Sequence, residues 1–276
     1  MGHREGAPDP SGAPTETRGT LDFGWWASNG PTAGYLMRLA LDAIGDVCGT
    51  DAGVRRIELR VSRLAAAGPF ELAIAGAADP ADIELLRVTF DQGRAFATAT
   101  VLRSPARGAQ VGGDASPPAA LPRDAYRPMP TPSPTMPPIT GRFVYRPTGE
   151  PDGGGPRPGW DVVWVTPTDD KLHGRALVVS IIDSWYPPHF MRAVREHLRT
   201  GAPLAQPEPT VLVAASVSFT APEVAYDRVD DAVLASQATA TADGYYFEGL
   251  EVWSDHGVLL ASAEILRCQQ VARSAR

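Results

Sequence analysis

Eleven residues near the middle of the chain recur, without a gap, near its end. Gly93-Arg-Ala-Phe-Ala-Thr-Ala-Thr-Val-Leu-Arg103 aligns on Gly257-Val-Leu-Leu-Ala-Ser-Ala-Glu-Ile-Leu-Arg267. Both copies place Ala at the fourth and sixth residues after Gly, a hydroxyl at the fifth and Leu-Arg at the end. Alternation of this kind lays small apolar residues along one face of a β-strand. In each copy the Gly closes a turn, Asp91-Gln-Gly93 and Asp255-His-Gly257, which joins the segment to an earlier strand-like run as a hairpin. A chain that carries such a unit twice is constrained to build the same supersecondary structure twice.

The surrounding runs agree. Strand-like segments fall at 54–64, 69–76, 83–91 and 94–103, and again at 210–220, 229–240, 245–253 and 257–267. A helix precedes each set. Asn29 to Ile44 opens with Gly30 and Pro31 and sets Leu36, Leu39, Ala40, Ala43 and Ile44 on one stripe. Ala176 to Asp183 is short and almost wholly apolar, and Trp185-Tyr-Pro-Pro188 stops it. Within these helices Ala40-Leu41-Asp42 sits where Ile181-Ile182-Asp183 sits. Helix followed by four strands, twice, predicts an α+β fold. Each helix buries its stripe on an antiparallel sheet, and the two units pair edge strands into one wider sheet.

Proline divides the units. Nine of the 22 residues from Pro117 to Pro138 are proline, and proline supplies no ladder hydrogen bonds. That stretch is expected to be an extended connector ordered only by packing on other parts of the chain. Residues 153–155, Gly-Gly-Gly, make a second break. The expected organisation is a mobile segment at 1–20, a first unit at 21–104, a connector at 105–138 and a second unit at 139–270.

Composition narrows the function. The chain of 276 residues has 25 Lys+Arg against 32 Asp+Glu, a net charge of -7, and Lys171 as its only lysine, which excludes nucleic acid as a partner. No apolar run approaches the roughly 18–20 residues of a membrane helix, and residues 1–20 lack the apolar core of a signal peptide. Cys48 and Cys268 form no metal or redox spacing and read as small buried hydrophobes of a cytoplasmic protein. There is no Gly-x-Ser-x-Gly elbow, no metal-ligand cluster and no phosphate loop, so neither a metal nor a cofactor is expected.

Asp183 is the residue with the most chemical promise. It follows Val178, Val179, Ile181 and Ile182 and precedes Trp185 and Tyr186. A carboxylate in apolar surroundings suits acid–base work on a carbonyl or on the carbon beside it. The alternative is a helix-terminal Asp bonded to nearby backbone. At the start of the first helix, Gly30, Ala33 and Gly34 offer backbone N–H groups at the positive end of the dipole, and Asn29 a polar side chain. Ordinary capping is the alternative there. Asn29, Gly30, Gly34 and Tyr35 before and within this helix, with Trp185 and Tyr186 after the second, are the candidates for contacting substrate. Glu264 and Ser262 share one strand face, which reads either as a site or as a solvated exterior. His189 and His256 fall in turns without a nucleophile partner.

Four passages resemble the double hotdog acyl-CoA thioesterases of the thioesterase II type. Trp26-Ala-Ser-Asn-Gly-Pro-Thr-Ala-Gly-Tyr-Leu36 is similar to the family's Gly-rich entry into its first helix, and Asp183-Ser-Trp-Tyr-Pro-Pro188 to its Asp-and-Pro exit from the second. Ser216-Val-Ser-Phe-Thr-Ala-Pro222 and Gly257-Val-Leu-Leu-Ala-Ser262 resemble two of its later strands. The resemblance spans about 25–270 apart from the connector. It implies a double hotdog, two tandem helix-plus-sheet repeats in one chain, acting on an acyl thioester linked to CoA or a carrier protein, or on a product derived from one. It is compatible with a homo-oligomer of double hotdogs. Hydrolysis in that family is thought to use an Asp after the second helix, a hydroxyl on the next strand and a Gln on the last. The Asp falls on Asp183. The Gln position falls on Ile265, with Glu264 adjacent, and the hydroxyl position falls near Leu212, with Ser216 and Ser218 further along the strand. Asp183, Ser216, Ser218 and Glu264 are therefore the catalytic candidates. Loss of the Gln leaves two alternatives to hydrolysis: dehydration or cyclisation by proton transfer, as in biosynthetic pathways, and non-catalytic acyl binding.

Overall fold

The computed structural model describes residues 15–27, 29–76, 83–104, 116–118, 122–129, 136–148, 159–185, 200–201, 210–227, 229–240 and 242–269. In chain order the elements are β1 (Thr15–Leu21), α1 (Ala33–Cys48), β2 (Val54–Val61), β3 (Gly68–Ala75), β4 (Glu84–Asp91) and β5 (Ala95–Arg103). They continue with β6 (Phe143–Pro147), β7 (Asp161–Pro167), α2 (Gly174–Ile181), β8 (Thr210–Phe219), β9 (Ala232–Ala240), β10 (Tyr245–Trp253) and β11 (Leu259–Gln269). The strands form one sheet in the order β1-β3-β4-β5-β2-β8-β11-β10-β9-β7-β6, antiparallel at each pairing.

The order is symmetrical about its centre. Outward from the β2–β8 seam the first half runs β2, β5, β4, β3, β1 and the second β8, β11, β10, β9, β7, with β6 added at the far edge. In chain order α1 stands between β1 and β2, and α2 in the equivalent place between β7 and β8. Gly93 and Gly257 occupy the β4–β5 and β10–β11 turns, both left-handed at φ 72° and 78°, a conformation in which glycine carries no Cβ penalty. The seam itself is made by Ile57 opposite Val217 and Leu59 opposite Ala215, all buried beneath the helices.

Three strands escape the sequence reading. Thr15–Thr20, placed with the mobile N-terminal segment, forms most of β1 and pairs with β3. β6 and β7 precede α2 where no strand was expected. β7 reads as a continuous apolar run because both of its faces are covered: Val163 and Val165 join the main core, while Val162 and Trp164 join a second cluster with Val233, Ala235 and Trp253 on the opposite face. Tyr126 of the connector packs on that second cluster. Among the described residues between 116 and 138 there is no strand, and the regular pieces are a 3₁₀ turn at Arg123–Ala125 and the first residue of another at Pro138–Arg142. Arg123 pairs with Asp231, and the Met129 N–H donates to the Tyr145 carbonyl (2.7 Å). Among the described residues of this stretch, contacts to other parts of the chain, an ion pair, apolar packing and a backbone bond to β6, take the place of a ladder of its own. No helix among the described residues is long and apolar enough to cross a membrane.

The helices meet end to end across the seam. Thr32 caps α1 by accepting the Tyr35 N–H (3.3 Å), and Gly49 ends it at φ 75°. Gly34 stands where the first turn of α1 crosses the last turn of α2. A Cβ there would overlap the Val179 and Ile182 carbonyl oxygens and lie 2.8 Å from that of Ser180. These are backbone atoms and cannot swing aside. Gly34→Ala is expected to lower stability by at least the roughly 1–3 kcal/mol typical of overpacking. Gly30→Ala, where the added Cβ meets only Leu64 at 3.9 Å, should stay within about 0.5 kcal/mol of the parent. Thermal unfolding of the two variants side by side checks this.

Candidate active site

The helix junction holds a chain of buried ionisable side chains. α2 ends at Ile181, and two residues later Asp183 takes a left-handed backbone at φ 70°. Asp tolerates this conformation better than most residues, but outside glycine it is uncommon and concentrates at functional sites. The turn aims the carboxylate back across the seam. Its Oδ2 accepts the Ala33 N–H at the first turn of α1 (2.7 Å), and its Oδ1 pairs with the guanidinium of Arg267 on β11. Arg267 Nε donates in turn to Glu248 Oε1 on β10 (3.1 Å). All three side chains are buried, on the helix-facing side of the sheet.

Beside this chain runs a second set of polar contacts. Tyr246 stands directly opposite Arg267 in the β10–β11 register, and its hydroxyl donates to Thr210 Oγ1 (3.2 Å). The Thr210 carbonyl accepts Asn29 Nδ2 (3.0 Å). Asn29 is thereby tied to the same end of the sheet as Asp183. Burial governs the electrostatics. It pushes the Glu248 carboxyl up to about 8 and the Arg267 guanidinium down to about 10. Burial, with Glu248 nearby, also raises the Tyr246 hydroxyl.

The sequence-derived residues separate into two groups. Asp183 and Asn29 belong to the junction. Asp183 does not stand in purely apolar surroundings, as expected from its neighbours in sequence: Arg267 reaches it from a strand distant along the chain. Asp42, its counterpart in α1, stays inside a helix that continues to Cys48, exposed, with Arg38 at 3.7 Å. Ser216, Ser218 and Glu264 are not brought to the junction. In the pleat of β8 and β11 the core-facing residues are Ala215, Val217 and Phe219, and Ala261, Ala263 and Ile265, so these three lie on the opposite face. Ser216 pairs with Glu264 there and Ser218 with Ser262, half-buried or exposed. Period-2 alternation sorted the residues into faces correctly: the core-facing and outward residues of both strands are those the sequence assigned.

The other candidates have packing contacts. Gly34 faces the last turn of α2, whose carbonyl oxygens a Cβ would meet. Tyr35 stacks on Trp25 (centroids 5.1 Å apart), donates to the Thr20 carbonyl (3.5 Å) and accepts the Asp22 N–H (3.1 Å), which fastens α1 to the end of β1. Gly30 accepts the Ala27 N–H through its carbonyl (2.8 Å) in the loop ahead of α1. Trp185 is buried against Tyr145, 4.9 Å between centroids, whose hydroxyl donates to the Ser184 carbonyl (2.7 Å). Tyr186 and His189 lie outside the described residues. Arg267, Glu248, Tyr246 and Thr210 were missed. One signal pointed to the first of them: Leu-Arg closes both copies of the internal match. Among the described residues no group of three His, Cys, Asp or Glu side chains is placed to hold a metal ion.

Glu248 leaves a testable mark on stability. With its carboxyl raised from 4.5 to about 8, the native state holds this proton more tightly than the unfolded chain. Its contribution is fully present below about pH 4.5 and is lost as pH rises through about 8. Glu248→Gln should therefore flatten the fall in Tm between about pH 5 and pH 8. Melting curves of both proteins across that range check the sign.

No protein-family model matches the chain, and no curated protein matches it in sequence. Solved structures do match in three dimensions. A conserved protein of unknown function with a hot dog fold from Alicyclobacillus acidocaldarius is similar at TM-score 0.79 and 19% identity, over 94% of this chain and 96% of that one. A proposed thioesterase II from Thermobifida fusca YX gives TM-score 0.71 and 17% identity, over 98% and 100%. An acyl-CoA thioesterase II from Mycobacterium marinum gives 0.66 and 16%, over 94% of each chain. At these identities the likeness is one of architecture, and it agrees with the single antiparallel sheet and the helices α1 and α2 of the described residues: the chain has the α+β hotdog fold.

Proposed function

We propose that the chain is a tandem pair of hotdog units acting on an acyl thioester at the junction of its two helices. The first unit runs to about residue 104, the connector from 105 to 138, and the second from 139. One observation carries the reading: Asp183, on a left-handed turn, holds a carboxylate between a helix N-terminus and a buried guanidinium. The names of the similar structures, thioesterases among them, supply the substrate class. In hydrolysis Asp183 takes a proton from water as the water oxygen bonds to the thioester carbon. The carbon–sulfur bond then breaks, and the proton passes to the departing thiolate. The dipole of α1 and the Arg267 charge favour the oxyanion that forms on the carbonyl.

A second reading keeps Asp183 and dispenses with the water. Ile265 is fully buried and Leu212 stands opposite Arg267, so the two positions expected to carry an amide and a hydroxyl present hydrocarbon. Such a lining suits proton transfer beside a carbonyl, as in a dehydration.

Incubation with a panel of acyl-CoAs, with release of free thiol as the readout, tests hydrolysis directly. Asp183→Asn is expected to lower the turnover of a confirmed substrate by roughly 10²–10⁴-fold, the range for a lost general acid or base. Because the change also breaks a buried ion pair, the variant's melting curve must show a folded protein. A folded Asp183→Asn protein within a few-fold of the parent rate removes Asp183 from the chemistry. Consumption of an acyl-CoA by the parent protein without release of free thiol selects the second reading.

A further inference from the structure

The charge pair behind Asp183 has a twin in the other half of the chain. At the end of β5, Arg103 Nη1 meets Glu84 Oε2 at 2.9 Å, and Glu84 is buried on the core side of β4. At the end of β11, Arg267 meets Glu248 on the core side of β10. Arg103 and Arg267 are the matching last residues of the internal repeat. Each arginine also reaches the segment that follows its own half's helix. Arg103 Nη2 donates to the Thr50 and Ala52 carbonyls (3.5 and 3.3 Å), Thr50 standing two residues beyond the end of α1. Arg267 pairs with Asp183, two residues beyond the end of α2.

The halves differ in what is held. In the first, the arginine grips backbone carbonyls of the loop that follows α1. In the second it grips a side-chain carboxylate that also accepts a backbone N–H from the opposite half. We infer that Arg267, anchored by Glu248, is a positioning residue that fixes the Asp183 carboxylate against the first turn of α1, a loop-pinning device of the fold turned to orienting the reactive group. Two parallel contacts define the geometry. A guanidinium presents a rigid fork that spans both Asp183 and Glu248 at once, whereas an ammonium is a point charge that cannot hold both in the same orientation. The inference rests on the proposed role of Asp183, but the placement of its carboxylate is measurable without any substrate.

The test compares Arg267→Gln, Arg267→Lys and Arg103→Gln in the full chain. The first readout is the Ala33 amide, followed by NMR shift and hydrogen exchange, because that N–H donates to Asp183 Oδ2 at 2.7 Å. Arg267→Gln and Arg267→Lys are expected to speed Ala33 exchange at least tenfold and move its resonance, whereas Arg103→Gln lowers Tm and leaves Ala33 as it was. The second readout is turnover of a confirmed acyl thioester: kcat falls tenfold or more in Arg267→Gln and less in Arg267→Lys, with KM little changed, and Arg103→Gln keeps the parent kcat. Should Arg267→Gln fail to fold, Arg267→Lys retains the charge and carries both readouts. Ala33 unchanged in a folded Arg267 variant, or equally disturbed by Arg103→Gln, overturns the inference. If the parent protein turns over no acyl thioester, the substrate reading fails while the Ala33 measurement still decides the role of Arg267.

Discussion

At the helix junction one backbone amide joins the first turn of α1 to the carboxylate that follows α2. The Ala33 N–H, one of the donors that the first turn of any α-helix leaves without an intrahelical partner, is satisfied by a carboxylate from the other half of the chain. For that contact to exist, α1 must approach the last turn of α2 so closely that no side chain fits at Gly34. α2 must stop two residues before Asp183, and the backbone there must turn left-handed. The seam between β2 and β8 sets the distance between the helices, with Ile57, Leu59, Ala215 and Val217 packed beneath them. Sheet, helices and candidate site are thus consequences of one close approach.

The same junction explains how a fold with two similar halves comes to have dissimilar helix ends. Where α2 stops, a carboxylate turns inward to Arg267. Where α1 stops, the chain offers carbonyls to Arg103, and the other end of the helix pair is closed by Arg175, which is buried beneath Tyr226 (4.3 Å to the ring centroid) and bonded to Glu223 (2.7 Å). Glu223 also accepts from Gly53 N–H and Arg55 of the first half, so this end is a tied seam. Buried ion pairs add little net stability once desolvation is counted. Their effect here is to fix which segments meet.

Much of this was legible in the sequence. The ungapped match from Gly93 and Gly257 located both hairpins, and the apolar stripe of Asn29 to Ile44 located α1. Asp183 stood out because a short apolar helix broke off at it. What escaped did so for physical reasons. β1 is an edge strand of Thr, Glu, Arg and Gly with only Leu21 buried, and it carries almost no hydrophobic signal. β7 is covered on both faces and loses the period of two that marks a half-buried strand. Ser216, Ser218 and Glu264 are polar residues where polar residues belong, on the outer face. Glu248 and Arg267 are ionisable groups on the core face, where alternation predicts hydrocarbon, and neither their pairing nor the meeting of Arg267 with Asp183 could be read from local sequence.

The claim on which the account turns is that chemistry takes place at the α1–α2 junction. A crystal structure with a non-hydrolysable acyl thioester analogue tests it most directly. The account predicts the analogue's carbonyl oxygen within hydrogen-bonding distance of Arg267 or of an N–H in the first turn of α1, its carbonyl carbon facing Asp183, and its acyl chain entering beside Asn29. An analogue bound on the outer face, near Ser216 and Glu264, or one that leaves the junction closed while occupying another part of the molecule, would contradict it.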